Sequence, residues 1–256
     1  MNLNKSTAYR TKSVVLRRRD LGEADRIITL FTREHGKRSA VARGVRKPGS
    51  RLAGHVELFT VIDAYLIVGS NLDVLTQASS INIFPKLAED LRHFAQASWA
   101  SEIIDKLIPD SHPDSFLFDL LVKFLELATN SGDIIHLHHF ELLALQKSGY
   151  QPQLDACAVC GEHLDPSSIR FSAHNGGTMC PSCPSNLQTH KLSTASVKTM
   201  RWLLAHPLGQ ASILKINNQL IGELAYTTRV CLENAIEDPL RSGELFSPSP
   251  DSLVAH

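Results

Sequence analysis

The sequence lacks long apolar runs and an export signal, and these absences bear on where the protein resides. No stretch approaches 18 consecutive apolar residues, so we expect no transmembrane helix. The opening residues, MNLNKSTAYRTKS, contain no apolar core of the kind that a secretory signal peptide requires. We therefore predict a cytoplasmic protein.

Motifs of known catalytic centres are also missing. The chain contains no P-loop (G-x-x-x-x-G-K-[ST]), no nucleophile elbow (G-x-S-x-G) and no H-E-x-x-H. The nearest approach to a P-loop, GVRKPGSR, has Pro48 between its lysine and Gly49, which is the wrong order. Acidic residues are scattered over predicted helix faces without a paired set. We predict that the protein is not an enzyme; a metal-dependent nuclease is the enzymatic alternative.

Net charge is likewise absent, yet the charges are unevenly distributed. The 26 Lys and Arg residues balance 26 Asp and Glu residues. Residues 1–51, however, hold 14 of these cations and only 4 of the anions. A basic end on an otherwise acidic chain is typical of proteins that bind a polyanion, although a solvated basic face without a partner is the simpler alternative.

The basic end has the pattern of a small β-barrel. Five short runs rich in Val, Ile, Thr and Phe are separated by turn residues, which predicts strands. The predicted strands are 12–19, 25–32, 37–44, 57–68 and 72–84. Five strands with one longer connection, between the third and the fourth, favour an OB-fold; an SH3-like barrel is the alternative.

After Pro85 the apolar residues recur at spacings of three and four, which predicts helices. The predicted helices cover 86–108, 114–130, 133–149, 194–206 and 220–237. The fold class that follows is multidomain α+β. Its predicted parts are an OB-fold domain at 1–84, a helical domain at 85–150 and 191–240, a cysteine-bearing insert at 151–190, and a tail at 241–256.

Four of the five cysteines form two C-x2-C pairs, Cys157 with Cys160 and Cys180 with Cys183. Two intervening residues let both thiolates of a pair reach one ion, and two such pairs are typical of a tetracysteine zinc site. We predict one structural Zn²⁺, because four thiolates leave no position open for a catalytic water. Disulfides are not expected in a reducing cytosol.

Other possible metal ligands carry weaker signals. Three histidines near the cysteine pairs are rivals that a complete thiolate set does not need: His163, His174 and His190. His136 and His139 share a face of a predicted helix, where we expect solvated or core-edge positions rather than a metal site. Cys231 lies mid-helix and is expected to be a small buried residue.

Three segments, in this order, resemble the RecO family of bacterial recombination mediators. They are GEADRIITLFTREHGKRSAVARGVRKPGSRLAG, FELLALQKSGYQPQLDACAVCG and GGTMCPSC. The resemblance extends over nearly the whole chain and implies an OB-fold, a helical domain and a zinc-binding module. It further implies a non-enzymatic protein that binds single- and double-stranded DNA and anneals complementary strands.

The resemblance also implies partners and a location. The implied partners are RecR and the acidic, hydrophobic C-terminal tail of single-strand-binding protein, with RecA loading onto DNA coated by that protein as the joint outcome. The implied location is the cytoplasm, in association with the nucleoid. An RNA-binding or transcription-associated barrel with a zinc ribbon is the alternative function.

Exposed cations of the basic end are the predicted phosphate contacts. Alternate residues of a strand share a face, and cations that flank a turn or line a long connection should be exposed. The predicted DNA-binding residues are Arg17, Arg19, Arg33, Lys37, Arg38, Arg43, Arg46, Lys47 and Arg51. Arg26 is expected to pair with Asp25 or Glu23. Because aromatic residues make up only 6% of the chain, binding should be mostly electrostatic.

Overall fold

The computed structural model describes residues 7–184 and 188–242. The chain divides into two compact units between Thr129 and Asn130. The described part of the first unit contains β1 (Ala8–Leu21), β2 (Asp25–Thr32), β3 (Gly36–Ala42), β4 (Val61–Ile67), β5 (Asp73–Asn82), α1 (Lys86–Glu89), α2 (Leu91–Leu107) and α3 (Ser115–Asn130).

The second unit is helical and carries a small sheet. Its described elements are α4 (Ile134–Lys147), β6 (Arg170–Ser172), β7 (Gly177–Met179), β8 (His190–Lys191), α5 (Thr194–Ala205) and α6 (Asn218–Ala235). The predicted tail at 241–256 lies almost entirely outside the described residues. The domain boundaries expected from the sequence stay a prediction, because compactness alone does not mark independently folding domains.

The first five strands close into a barrel in the order β1-β2-β3-β5-β4. The 14-residue β1 pairs with β4 through its first half and with β2 through its second, and a bulge between Val15 and Arg17 bends it between them. Parallel pairing of β3 with β5 completes the ring. The predicted five-stranded OB-fold barrel is confirmed.

Every second side chain along the strands points into the barrel, and these side chains fill it. Branched residues on the inward faces, such as Val15, Ile28 and Ile62, have no solvent exposure. Aromatic pairs pack outside this core: the ring centroids of Phe31 and Phe118 are 5.9 Å apart. Burial of these faces supplies most of the driving force that fixes strand register.

Apart from α1, the described α-helices begin at capping side chains. Asp90 accepts hydrogen bonds from the N–H groups of Arg92 (2.7 Å) and His93 (3.4 Å), and its own backbone is extended. The single helix predicted at 86–108 is therefore wrong in one respect, because Asp90 ends α1 and starts α2. In the second unit, α4, α5 and α6 pack against one another, and β6 is the central strand of the order β7-β6-β8.

Candidate nucleic-acid interface and metal centre

The long connection between β3 and β4 begins with the basic loop, which we define as residues 43–51. Gly44 and Gly49 have φ of +64° and +77°, a conformation that side chains with a Cβ rarely adopt. Lys47 N–H donates to Gly44 O, and Ser50 N–H to Lys47 O, each at 3.1 Å. The loop is thus a series of tight turns.

The basic loop is anchored to the barrel at its base. Val45 is 2% exposed and belongs to the barrel core. The N–H of Gly44 donates to Asp25 Oδ1 (2.7 Å), and the N–H of Arg46 donates to Ala24 O (2.9 Å). These contacts tie the loop to the β1–β2 turn, so its cations project from a fixed base.

Four predicted phosphate contacts are solvent-exposed and free of carboxylate partners within the described parts of the chain. We call them the open cations: Arg19, Arg43, Lys47 and Arg51. Three of them belong to the basic loop, and Arg19 lies near the end of β1. A side chain without an internal partner can meet a phosphate at no cost beyond its own desolvation and ordering.

The other five predicted contacts are engaged inside the molecule. Arg17 pairs with Asp105 at 2.8 Å, and Arg33 forms a two-pronged pair with Asp119 at 2.9 and 3.1 Å. Arg38 donates to the backbone carbonyl of His35 (3.2 Å), and Arg46 pairs with Asp20 (3.3 Å). The fifth, Lys37, is described below. Each of these side chains must leave or share a partner to reach a phosphate.

Lys37 departs furthest from its predicted position. It was expected to be exposed beside the turn before β3, but only 11% of its side chain is accessible. Its ammonium lies between Asp105 (3.5 Å) and Asp110 (3.1 Å) and also donates to the carbonyl of Asp105. The expected exposure is wrong because carboxylates more than sixty residues away in the chain fold over this lysine.

Arg26 also has different partners from those expected. Register places it opposite Asp20 in the β1–β2 pair, and the two side chains meet at 3.0 Å. That hydrogen bond lowers the pKa of Asp20. Glu57 pairs with both Arg18 and Arg26, while Asp25 is occupied by the basic loop. The expected pairing with Asp25 or Glu23 is therefore wrong.

The four paired cysteines converge on one point in the second unit. All their sulfurs lie within 4.8 Å of one another, and the Cys157–Cys183 and Cys160–Cys180 distances are both 3.8 Å. Sulfurs placed tetrahedrally about 2.3 Å from a central ion lie about 3.8 Å apart. A disulfide would require about 2.05 Å. The spacing fits a metal ion held by four thiolates.

The first cysteine pair forms a tight turn around its sulfurs. Gly161 has φ of +76° and donates its N–H to Cys157 O at 2.8 Å. Burial raises the pKa of the Cys157 thiol, but backbone N–H groups at Cys180, Cys160 and Val159 together lower it to about 6. These donors favour a thiolate, which is the form that binds metal.

The rival histidines do not join the cysteines. Within the described residues, the cysteine set is the one group of clustered metal-binding side chains. His163 and His174 are exposed, and His190 instead contacts Thr227 (3.1 Å) and the ring of Tyr226 (4.6 Å). No sequence pattern pointed to Arg170, whose guanidinium donates to the carbonyls of the second cysteine pair.

The histidines of α4 lie in the core rather than at its edge. His136 is 2% exposed and His139 is fully buried. His136 meets the Ser212 hydroxyl at 3.2 Å, and His139 meets the carbonyl of His206 at 2.9 Å. Burial lowers the pKa of both. The solvated or core-edge placement is wrong, because α4 is enclosed on all sides. Cys231, 7% exposed, is buried as expected.

No described helix is both long enough and apolar enough to cross a membrane.

Two protein-family models match the chain, one over each of its parts. The family described as Recombination protein O N terminal matches residues 6–84, and the family described as Recombination protein O C terminal matches residues 88–244. Together they account for both the barrel and the helical part with its cysteines.

Curated relatives match most of the chain as well. A protein named DNA repair protein RecO from Roseiflexus sp. (strain RS-1) is 38% identical over 237 residues, covering 91% of this chain and 83% of the relative. A protein of the same name from Symbiobacterium thermophilum is 33% identical over 243 residues, covering 93% and 96%. With both family halves present in order, the chain belongs to the RecO family of DNA repair proteins.

Proposed function

We propose that this protein is a non-enzymatic recombination mediator that binds single- and double-stranded DNA and anneals complementary strands during DNA repair. The observation that carries the proposal is the basic loop, an anchored turn on an OB-fold barrel that presents three exposed cations, Arg43, Lys47 and Arg51, without carboxylate partners among the described residues. OB-folds commonly bind oligonucleotides through their strands and loops. Membership in a family of DNA repair proteins supports DNA as the ligand.

The proposed contacts are electrostatic. The open cations make the first phosphate contacts, and the five engaged cations join when phosphates displace their present carboxylate or carbonyl partners. The full proposed set is Arg17, Arg19, Arg33, Lys37, Arg38, Arg43, Arg46, Lys47 and Arg51. Contacts of this kind fix the backbone without reading sequence. A surface that screens phosphates of two strands at once lowers their mutual repulsion, which is the physical basis proposed for annealing.

The proposed partners rest on family membership alone. They are RecR and the C-terminal tail of single-strand-binding protein, and the joint outcome is loading of RecA onto DNA coated by that protein. For the acidic tail, the candidate cations are on helices: Arg92, Lys123 and Lys147. The proposed location is the cytoplasm, in association with the nucleoid.

The proposed metal is zinc, held by Cys157, Cys160, Cys180 and Cys183. The 3.8 Å sulfur separations and the all-thiolate donor set fit Zn²⁺. Bound there, the ion supplies a cross-link between two segments of chain and no catalysis, since four protein ligands close its coordination. Residues 151–190 contain one Lys or Arg, Arg170, so the module is proposed to support the helical unit rather than to contact DNA.

The decisive experiment compares two variants that each lose four charges. In the loop variant, Arg43, Arg46, Lys47 and Arg51 become Gln. In the control variant, exposed helix cations become Gln instead: Arg92, Lys123, Lys198 and Arg229. We expect the loop variant to bind a labelled single strand at least about tenfold more weakly and to lose annealing, since each lost cation removes about one phosphate contact.

The control variant should bind and anneal bare oligonucleotides like the wild type. Equal loss in both variants would contradict a localised interface and indicate only a general charge effect. The same titration with RNA of equal sequence tests the alternative, because clearly tighter binding to RNA would favour an RNA-associated function. Annealing by the wild type and the loop variant is then repeated on oligonucleotides coated with single-strand-binding protein to test the mediator role. The control variant is left out of this assay because it lacks two candidate contacts of the tail, Arg92 and Lys123.

A further inference from the structure

The two cysteine turns of the metal centre are built differently. In the first, CAVCG, the residue after the second cysteine is Gly161, whose N–H donates to the carbonyl of Cys157 at 2.8 Å. In the second, CPSCP, the equivalent residue is Pro184, which has no N–H. The carbonyl of Cys180 therefore lacks the backbone donor that closes the first turn.

A side chain from the adjacent sheet fills that place. Register pairs Arg170 of β6 with Met179 of β7, the residue immediately before Cys180. The Nη2 of Arg170 donates to the carbonyls of Cys180 (2.7 Å) and Cys183 (2.6 Å) and lies 3.3 Å from the carbonyl oxygen of Pro181. Three carbonyls of one four-residue turn thus converge on a single nitrogen.

We propose that Arg170 is a positioning residue for the metal centre: its guanidinium replaces the N–H that Pro184 lacks and holds the second turn in its ligating form. The proposal rests on the metal binding proposed above. Its physical basis is that a carbonyl turned inward needs a donor, and a charged donor makes the stronger bond. Four thiolates around a divalent ion also carry a net charge of −2, which the cation of Arg170 offsets.

The test is metal affinity, measured by competition with a chromogenic chelator and by the absorption of the Co²⁺-substituted protein. Arg170→Met should weaken Zn²⁺ binding by about 10- to 100-fold, the usual effect of losing a group that orients metal ligands. Pro184→Gly restores a backbone N–H at an exposed position. Added to Arg170→Met, it should recover most of the lost affinity.

Arg229→Met, on the exposed side of α6, is the matched control and should bind metal like the wild type. Wild-type affinity in Arg170→Met, or no recovery on adding Pro184→Gly, would overturn the proposal. If Arg170→Met does not fold, Arg170→Lys replaces it; that variant keeps the charge with a different donor geometry, and the same rescue is required. Failure of the wild type itself to bind one ion would instead refute the metal site.

Discussion

Lys37 lies where a surface cation was expected, and it acts as a buried link. It joins Asp105, whose side chain is 9% exposed, to the exposed Asp110. Without Lys37, the buried Asp105 carboxylate keeps its pair with the largely exposed Arg17, but its charge is less well compensated. We expect Lys37→Met to lower the free energy of unfolding by about 3 kcal/mol, measured by urea denaturation followed by circular dichroism.

The double variant Lys37→Met/Asp105→Asn tests that cause. It removes the poorly compensated charge of Asp105, so it should recover part of the lost stability. Unchanged stability in Lys37→Met would mean that the ion pairs contribute nothing, and greater loss in the double variant than in the single one would assign the effect to Asp105 itself. Arg17, which also pairs with Asp105, is 65% exposed and should matter less.

Gly177, beside the metal centre, leaves no room for a side chain. Its φ is +155°, and an added Cβ would lie 2.2 Å from the carbonyl oxygen of Gln153. We expect Gly177→Ala to destabilise the second unit by about 2 kcal/mol and to reduce metal retention during dialysis, because β7 carries the chain into Cys180. Thermal unfolding and metal content are the measurements.

At Gly222, unlike Gly177, there is room for the side chain that a change to alanine adds. It lies within α6, and an added Cβ would meet nothing within 4 Å. Gly222→Ala should therefore stabilise the protein by about 0.5 to 1 kcal/mol, the difference in helix propensity. If both substitutions had the same effect, the close approach at Gly177 would not be the cause.

At the scale of elements, the basic loop predicts how DNA affinity depends on salt. With about five phosphates neutralised, log K against log salt should have a slope of roughly −3.5 on single strands. The loop variant loses four cations, so its slope should shrink to roughly −0.7. Fluorescence anisotropy between 50 and 200 mM salt, which is about the range over which such effects are large, measures both. A flat wild-type slope would contradict electrostatic binding.

Helix α4 predicts a pH dependence of stability. Burial lowers the pKa of His136 and His139 from the ordinary 6.5, so below that pH the unfolded chain binds more protons than the folded one. Stability is therefore full above about pH 6.5 and falls as the pH falls, by up to about 1.4 kcal/mol per pH unit for each histidine.

The variant His136→Gln/His139→Gln isolates this contribution from acid release of the metal. Its urea midpoint should change less between pH 7.5 and pH 5.5, about one unit on either side of the ordinary histidine pKa, than that of the wild type. An identical pH dependence in the two proteins would show that these histidines do not control it. Glutamine keeps a polar group for the Ser212 hydroxyl and the His206 carbonyl.

For the whole molecule, metal and DNA should be separable. The barrel has its own core, and the cysteine module contributes a single Lys or Arg, which is bound to carbonyls. We expect chelation to remove hydrogen-exchange protection from residues 152–184 while DNA affinity changes by less than about threefold, since no phosphate contact is lost. A tenfold or larger loss of affinity would place the module in the interface.

Residue types and apolar spacing predicted the strands and helices well, because both depend mainly on residues that are close together in the sequence. All five barrel strands follow from β-branched runs between turn residues, within a few residues at each end. The break at Asp90 was missed because the apolar spacing continues across it, although an aspartate before a helical run is a known start signal. The core positions of His136 and His139 were missed because histidine is polar and is more often found at a surface.

The candidate site was predicted unevenly. The four cysteines were found because their spacing alone brings each pair to one ion, and the turn glycine Gly161 follows the first pair directly. Arg170 was missed because its role depends on register between β6 and β7, which no local pattern encodes. The open and engaged cations could not be told apart from composition.

By itself, the sequence determined the class of fold, the tetracysteine set and the concentration of positive charge in the first 51 residues. Only the tertiary structure decided which of those charges are available. Arg17 and Arg33 meet carboxylates 88 and 86 residues further along the chain, whereas Arg43, Lys47 and Arg51 of the basic loop meet none in the described residues. The reason is that strand and helix patterns depend on neighbours in sequence, while ion pairing depends on distance in space.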